Sequence, residues 1–123
     1  MNLVDTSGWL EYFTRGPNAE VFGQSIEKTN DLIVPTICIY EVFKKILQHS
    51  TEQRAIDVTS IMQLGHVIPL AGILPSQAAK VSHELNLPMA DSIILATARM
   101  YHATLWTQDI DFQGMPNVKF IPK

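Results

Sequence analysis

Short apolar runs alternate with longer stretches of helical periodicity along this chain, and that alternation limits the folds open to it. Asn2–Val4, Asp31–Val34, His66–Leu70 and Thr104–Thr107 have the length and composition of strands, with Val118–Ile121 as a short fifth. The segments between them repeat apolar residues at three- and four-residue spacing, as one face of an α-helix requires. Helices are predicted over Thr6–Phe13, Ile37–His49, Glu52–Leu64 and Pro75–Leu85, and from Pro88 to about His102. Strands separated by helices pair in parallel through right-handed crossovers. The expected fold is an α/β three-layer sandwich around a central parallel sheet of four to five strands. At 123 residues the chain holds one domain, 1–123. A domain of that size buries enough apolar surface to fold without a disulfide or a structural metal.

Local signals sharpen this outline. Thr36 is suited to cap the helix after the second strand, and Gly65 to end the next one. Pro75 fits a first helical turn. In the Ile37–His49 helix, Ile39, Val42, Phe43, Ile46 and Leu47 form the predicted core stripe. Glu41 falls opposite it, near Lys44, Lys45 and Gln48. The helix after Pro88 is apolar nearly all round, with Ile93, Ile94, Leu95, Ala96, Ala98 and Met100, so it should be largely buried.

The acidic residues then become informative, because open parallel sheets bind ligands beyond the carboxyl ends of their strands. Asp5 and Asp109 follow strands, and Asp111 lies just beyond. Glu41 and Asp91 fall in the first turns of helices. Each has an ordinary reading when taken alone. Asp5 can cap a helix, Glu41 can pair with Lys45, Asp91 can face a helix N-terminus, and Asp109 and Asp111 can be turn residues. Taken together, Asp5, Glu41, Asp91 and Asp109 gather at one edge of the expected sheet. Two carboxylates about 4 Å apart repel by about 4 kcal/mol at an effective dielectric of 20. Stability offers no reason for such a group, whereas a hard divalent cation such as Mg²⁺ does.

Charge and the remaining side chains restrict the function further. The formal net charge of −3 weighs against a generic nucleic-acid binder, so any contact with RNA must rest on a local basic patch or on bound metal. One cysteine, Cys38, allows no intrachain disulfide and fits a reducing compartment. Neither a signal peptide nor an apolar run of about 20 residues is recognisable, and the expected location is the cytoplasm. The four histidines are scattered, so zinc is not expected. Ser7 lacks a nucleophile-elbow context. Trp9, Tyr12 and Phe13 read as core or dimer contacts rather than base-stacking platforms, and Met100 and Tyr101 as packing residues.

Three blocks together resemble the PIN-domain nucleases, and within them the VapC toxins of toxin–antitoxin pairs. They are Asn2-Leu3-Val4-Asp5-Thr6-Ser7, Pro88-Met89-Ala90-Asp91-Ser92-Ile93-Ile94-Leu95-Ala96-Thr97-Ala98, and Thr104-Leu105-Trp106-Thr107-Gln108-Asp109-Ile110-Asp111-Phe112, joined by Glu41 after a strand. The resemblance implies a PIN fold, Mg²⁺ or Mn²⁺, and endonucleolytic cleavage of RNA. It also implies a homodimer and inhibition by a cognate VapB-type antitoxin. Asp5, Glu41, Asp91 and Asp109 then form the catalytic, metal-holding set, with Asp111 second to Asp109. Thr107, Thr6 and Ser7 become supporting residues, and Lys44, Lys45 and Arg99 the basic candidates for the RNA path. Three rival readings have specific requirements. A receiver-like phosphoacceptor domain needs an acidic pair after the first strand, an Asp after the third and a Lys after the fifth, whereas Asp5 stands alone, Ala71-Gly72 follow the third strand and no matching Lys appears before the C-terminal end. A non-catalytic PIN-like binding module is expected to have lost acidic residues that this chain keeps. A nuclease for structured DNA needs a clamping insertion for which the chain is too short.

Overall fold

A computed structural model describes residues 1–123. Five strands form one sheet: β1 (Asn2–Val4), β2 (Leu32–Pro35), β3 (His66–Ile68), β4 (Thr104–Thr107) and β5 (Val118–Phe120). Their order is β3-β2-β1-β4-β5, and every pairing is parallel. Six helices flank it: α1 (Thr6–Phe13), α2 (Ala19–Ile26), α3 (Thr36–His49), α4 (Glu52–Met62), α5 (Leu74–Leu85) and α6 (Met89–Met100). The expected α/β sandwich is therefore the observed one, with five strands. A receiver-like domain has the strand order 2-1-3-4-5, so the topology removes that reading.

Burial follows from the parallel pairing. All four residues of β2 are buried, as are Leu3 and Val4 of β1 and Leu105, Trp106 and Thr107 of β4. A strand buried at consecutive positions has both faces covered, which is why these strands read as unbroken apolar runs. Ser92 to Ala98 of α6 are buried without a break, as the all-round apolar composition predicts.

Several expected boundaries shift for identifiable reasons. Thr36 is the first residue of α3 rather than its cap, and Pro35 stands in the cap position as well as ending β2. The buried side of α3 is Cys38, Val42 and Ile46 at four-residue steps, while Leu47 is exposed. The core stripe is thus narrower and rotated toward the Glu41 side. Gly65 does not cap α4, which ends at Met62. It lies where a Cβ would come within 3.0 Å of the Leu32 carbonyl oxygen, so the chain needs its small size to pass β2. Met100 and Tyr101 are exposed rather than packed inside. Helix α2 falls in a segment without a predicted element, because its apolar residues Val21, Phe22 and Ile26 are few and its N-cap Asn18 makes no side-chain capping bond.

Candidate metal centre

Strand order reverses between β1 and β4, since the chain builds β1, β2 and β3 in one direction and β4 and β5 in the other. Crevices at such switch points form at the carboxyl ends of the strands. Asp5 leaves the end of β1 there, and its backbone N–H donates to the Trp106 carbonyl of β4 at 3.1 Å. The Asp5 side chain is almost fully buried and caps α1. Its Oδ1 accepts from the Gly8 N–H at 2.9 Å and from the Ser7 hydroxyl at 2.7 Å, and its Oδ2 accepts from the Thr107 hydroxyl at 2.5 Å. The capping reading of Asp5 is therefore correct as far as it goes. An ionised carboxylate offers about four lone-pair sites, however, and three accepted bonds leave one at Oδ2. Burial raises the Asp5 pKa, with a smaller contribution from Asp109, while its three hydrogen bonds oppose the rise.

Thr107 joins the two strand ends. Its hydroxyl donates to Asp5 and accepts from the Asp109 N–H at 2.9 Å, which places Asp109 two residues beyond β4 on the same side. Asp109 in turn accepts from the Asp111 N–H at 2.9 Å and caps a single 3₁₀ turn, Ile110–Phe112. Phe112 is fully buried and anchors that turn, so the two carboxylates stand on a fixed support. Glu41 reaches the site from α3, where its Oε1 accepts from the Thr6 hydroxyl at 2.6 Å. It is half-buried and bonded to Thr6, so the ordinary reading of a solvated Glu41–Lys45 pair does not describe its setting.

Asp91 faces this group from the first turn of α6. Ligand-capable oxygens of Asp91, Asp109 and Asp111 lie within 4.8 Å of one another. Its carboxyl pKa is pushed up from 3.8 to about 6, by burial first and then by Asp109, Asp111, Asp5 and Glu41. Every charge acting on Asp91 is another carboxylate, and each raises its pKa. Hard oxygen donors in excess, with no cation offsetting them at Asp91, are the donor set that a hard divalent ion prefers. The residues present fit Mg²⁺ or Mn²⁺.

The sequence pattern of the PIN domain matches residues 3–118. The chain belongs to the PIN-domain family.

Solved structures similar to this PIN domain include a toxin–antitoxin complex from Klebsiella pneumoniae, at 26% identity and a TM-score of 0.79, covering 97% of this chain and 96% of that one. VapBC2 from Rickettsia felis, bound to a DNA fragment from its promoter, shares 16% identity with a TM-score of 0.74, covering 98% and 97%. VapC20 from Mycobacterium tuberculosis, a sarcin–ricin-loop-cleaving toxin, shares 15% with a TM-score of 0.70, covering 92% of each chain. No curated protein matches the sequence.

Within the PIN fold, Asp5, Glu41, Asp91, Asp109 and Asp111 come to one end of the sheet. The tight three-oxygen group is Asp91 with both Asp109 and Asp111. Lys44 and Lys45 are exposed on α3, one turn beyond Glu41. Arg99 is in the last turn of α6, at the opposite end of the helix from Asp91, and is not brought to the site. Trp9 is buried and stacked on Phe13 at 5.6 Å between ring centroids, which makes it a core residue. The hydrogen bond from the Gln108 N–H to the Ser7 hydroxyl, at 3.3 Å, was not legible in the sequence, because it spans 101 residues.

Proposed function

We propose that this PIN domain is a metal-dependent endoribonuclease that hydrolyses phosphodiester bonds, and that it serves as the toxin of a type II toxin–antitoxin pair. The observation that carries the reading is the approach of Asp91, Asp109 and Asp111 to within 4.8 Å, with Asp5 and Glu41 around them. When bound, Mg²⁺ or Mn²⁺ supplies a water nucleophile at neutral pH and stabilises charge developing on the phosphoryl group. The chain's own residues prepare the place. Thr107 and Ser7 hold the Asp5 carboxylate by both oxygens, leaving its free site in a fixed direction. Thr6 holds Glu41 across from it. The 3₁₀ turn presents Asp109 and Asp111 together, and Asp91 completes the acidic ring from α6.

The toxin role rests on fold neighbours that are toxin–antitoxin proteins, one of them described as cleaving the sarcin–ricin loop. A VapB-type antitoxin and a second copy of the chain are the proposed protein partners. Exposed apolar side chains, including Tyr40, Leu64, Ile73 and Met89, offer surface for such partners to cover. No helix is long and apolar enough to cross a membrane.

The test is cleavage of labelled single-stranded RNA by purified, antitoxin-free protein with Mg²⁺, with Mn²⁺ and with EDTA. Metal-dependent cutting that disappears in Asp5→Asn and Asp91→Asn is expected, together with growth arrest on expression of the wild type but not of either variant. Cutting that survives EDTA, or that persists in both variants, would overturn the assignment.

A further inference from the structure

A cleft of about 660 Å³ opens directly beside the acidic group, and the PIN-domain chemistry derived above does not use it. Ser7 and Asp109 belong to both places, and Gln108, Gln113, Phe120 and Lys123 complete the part of the wall that matters. Its size is within the range of about 300–1,000 Å³ typical of small-ligand sites. We propose that this cleft seats one unstacked nucleobase of the RNA, adjacent to the phosphate placed at the carboxylates, and that Gln108 and Gln113 read its edge. The proposal rests on the nuclease reading and gives that site a specificity element.

The lining chemistry selects a base over a second phosphate. The neighbouring wall is acidic and the chain carries a net charge of −3, so an additional phosphate would meet repulsion there. A neutral base would not. Single-stranded RNA is recognised through splayed bases, by stacking on aromatic rings and by hydrogen bonds to their edges. Phe120 supplies the ring, Gln108 and Gln113 supply amides, and Lys123 is the one cation of the lining.

Gln108 is also oriented. Its backbone N–H donates to Ser7, and its side-chain Oε1 accepts from Asn18 Nδ2 at 3.2 Å. Asn18 Nδ2 also donates to the Pro122 carbonyl at 3.0 Å, which ties the wall to the start of α2. The Gln108 oxygen is thereby engaged, and the NH₂ end remains as a donor. A donor pairs with the acceptor atoms that each base edge carries, such as guanine O6 and N7, adenine N7 or uracil O4, and has none to meet on a bare ribose.

The experiment follows the side-chain amide signals of ¹⁵N-labelled full-length protein in Mg²⁺ during titration with GMP, UMP, AMP or ribose 5-phosphate. Each mononucleotide is expected to bind at least about fivefold more tightly than ribose 5-phosphate and to shift the Gln108 and Gln113 amides. Gln108→Leu should bring mononucleotide affinity closer to the ribose 5-phosphate level, the Phe120 stack remaining, while leaving ribose 5-phosphate affinity unchanged. Gln113→Ala, at an exposed position, provides the same comparison if Gln108→Leu fails to fold. Equal affinity for mononucleotides and ribose 5-phosphate, or unmoved glutamine amides, would overturn the proposal. The two readings fail separately. Base-selective binding without RNA cleavage would sink the nuclease assignment and keep the cleft, whereas cleavage without base-selective binding would do the reverse.

Discussion

In the proposed metal centre, Asp5 has two tasks with opposing needs. As the cap of α1 it must accept the Gly8 N–H, and as a metal-facing group it must keep a lone pair free. Thr107 reconciles the two by fixing Oδ2 while also holding the Asp109 backbone. Thr107→Val keeps the shape but removes the hydroxyl from both bonds. Leaving such buried groups unsatisfied costs about 1–3 kcal/mol. The variant should melt several degrees lower and lose cleavage by more than its lost stability accounts for, as thermal unfolding beside a cleavage assay would show. Asp91 gives a second expectation at this scale. A carboxyl whose pKa is higher in the folded state than in the unfolded state binds its proton more tightly when folded. Its contribution to stability is thus fully present below about pH 4 and is lost as the pH rises through about 6. Allowing for solvent at a half-exposed group, the loss is about 1–2 kcal/mol. The metal-free wild type should lose stability over that pH window in urea unfolding, and Asp91→Asn should flatten the dependence and be the more stable protein at pH 7.5.

Among the elements, α1 depends on a close approach that its sequence only hints at. A Cβ at Gly8 would come within 2.6 Å of Val4 Cγ1 and 2.7 Å of the Phe22 ring, so the first turn of α1 fits against β1 and α2 only without a side chain there. Gly8→Ala should destabilise the fold by about 1–3 kcal/mol through overpacking, despite alanine's higher helix propensity, and a denaturant midpoint moving upward would contradict this packing. Glycine inside a predicted helix is a visible signal, but the partner it makes room for is not. Residues Thr104–Thr107 read as a strand and are one, because four consecutive residues of strand type fill a doubly covered position. The α6 segment reads as a buried helix with one misfit carboxylate, and that misfit is Asp91. Helix α2 was not legible because its stability comes from packing Phe22 and Ile26 into the core rather than from local pattern or capping. The joint approach of Asp109 and Asp111 to Asp91 was also hidden, since it depends on the 3₁₀ turn anchored by Phe112.

At the scale of the whole molecule, a net charge of −3 and a ring of carboxylates mean that the proposed metal contributes to the protein's stability. A ligand that binds only the native state stabilises it by RT ln(1 + [L]/Kd), about 2.7 kcal/mol at a hundredfold excess over Kd. Because the metal binds ionised carboxylates, the rise in Tm with millimolar Mg²⁺ should be small at pH 5 and several degrees at pH 7.5. This is opposite in sign to the behaviour of the metal-free protein. The most direct measurement is calorimetric titration of Mn²⁺ into the purified protein at pH 7.5, alongside Asp91→Asn and Asp111→Asn. A saturable isotherm in the wild type that is abolished by Asp91→Asn and weakened by Asp111→Asn is predicted. A wild-type isotherm that stays flat into the millimolar range, or one that Asp91→Asn leaves unchanged, would contradict a metal centre at the switch point.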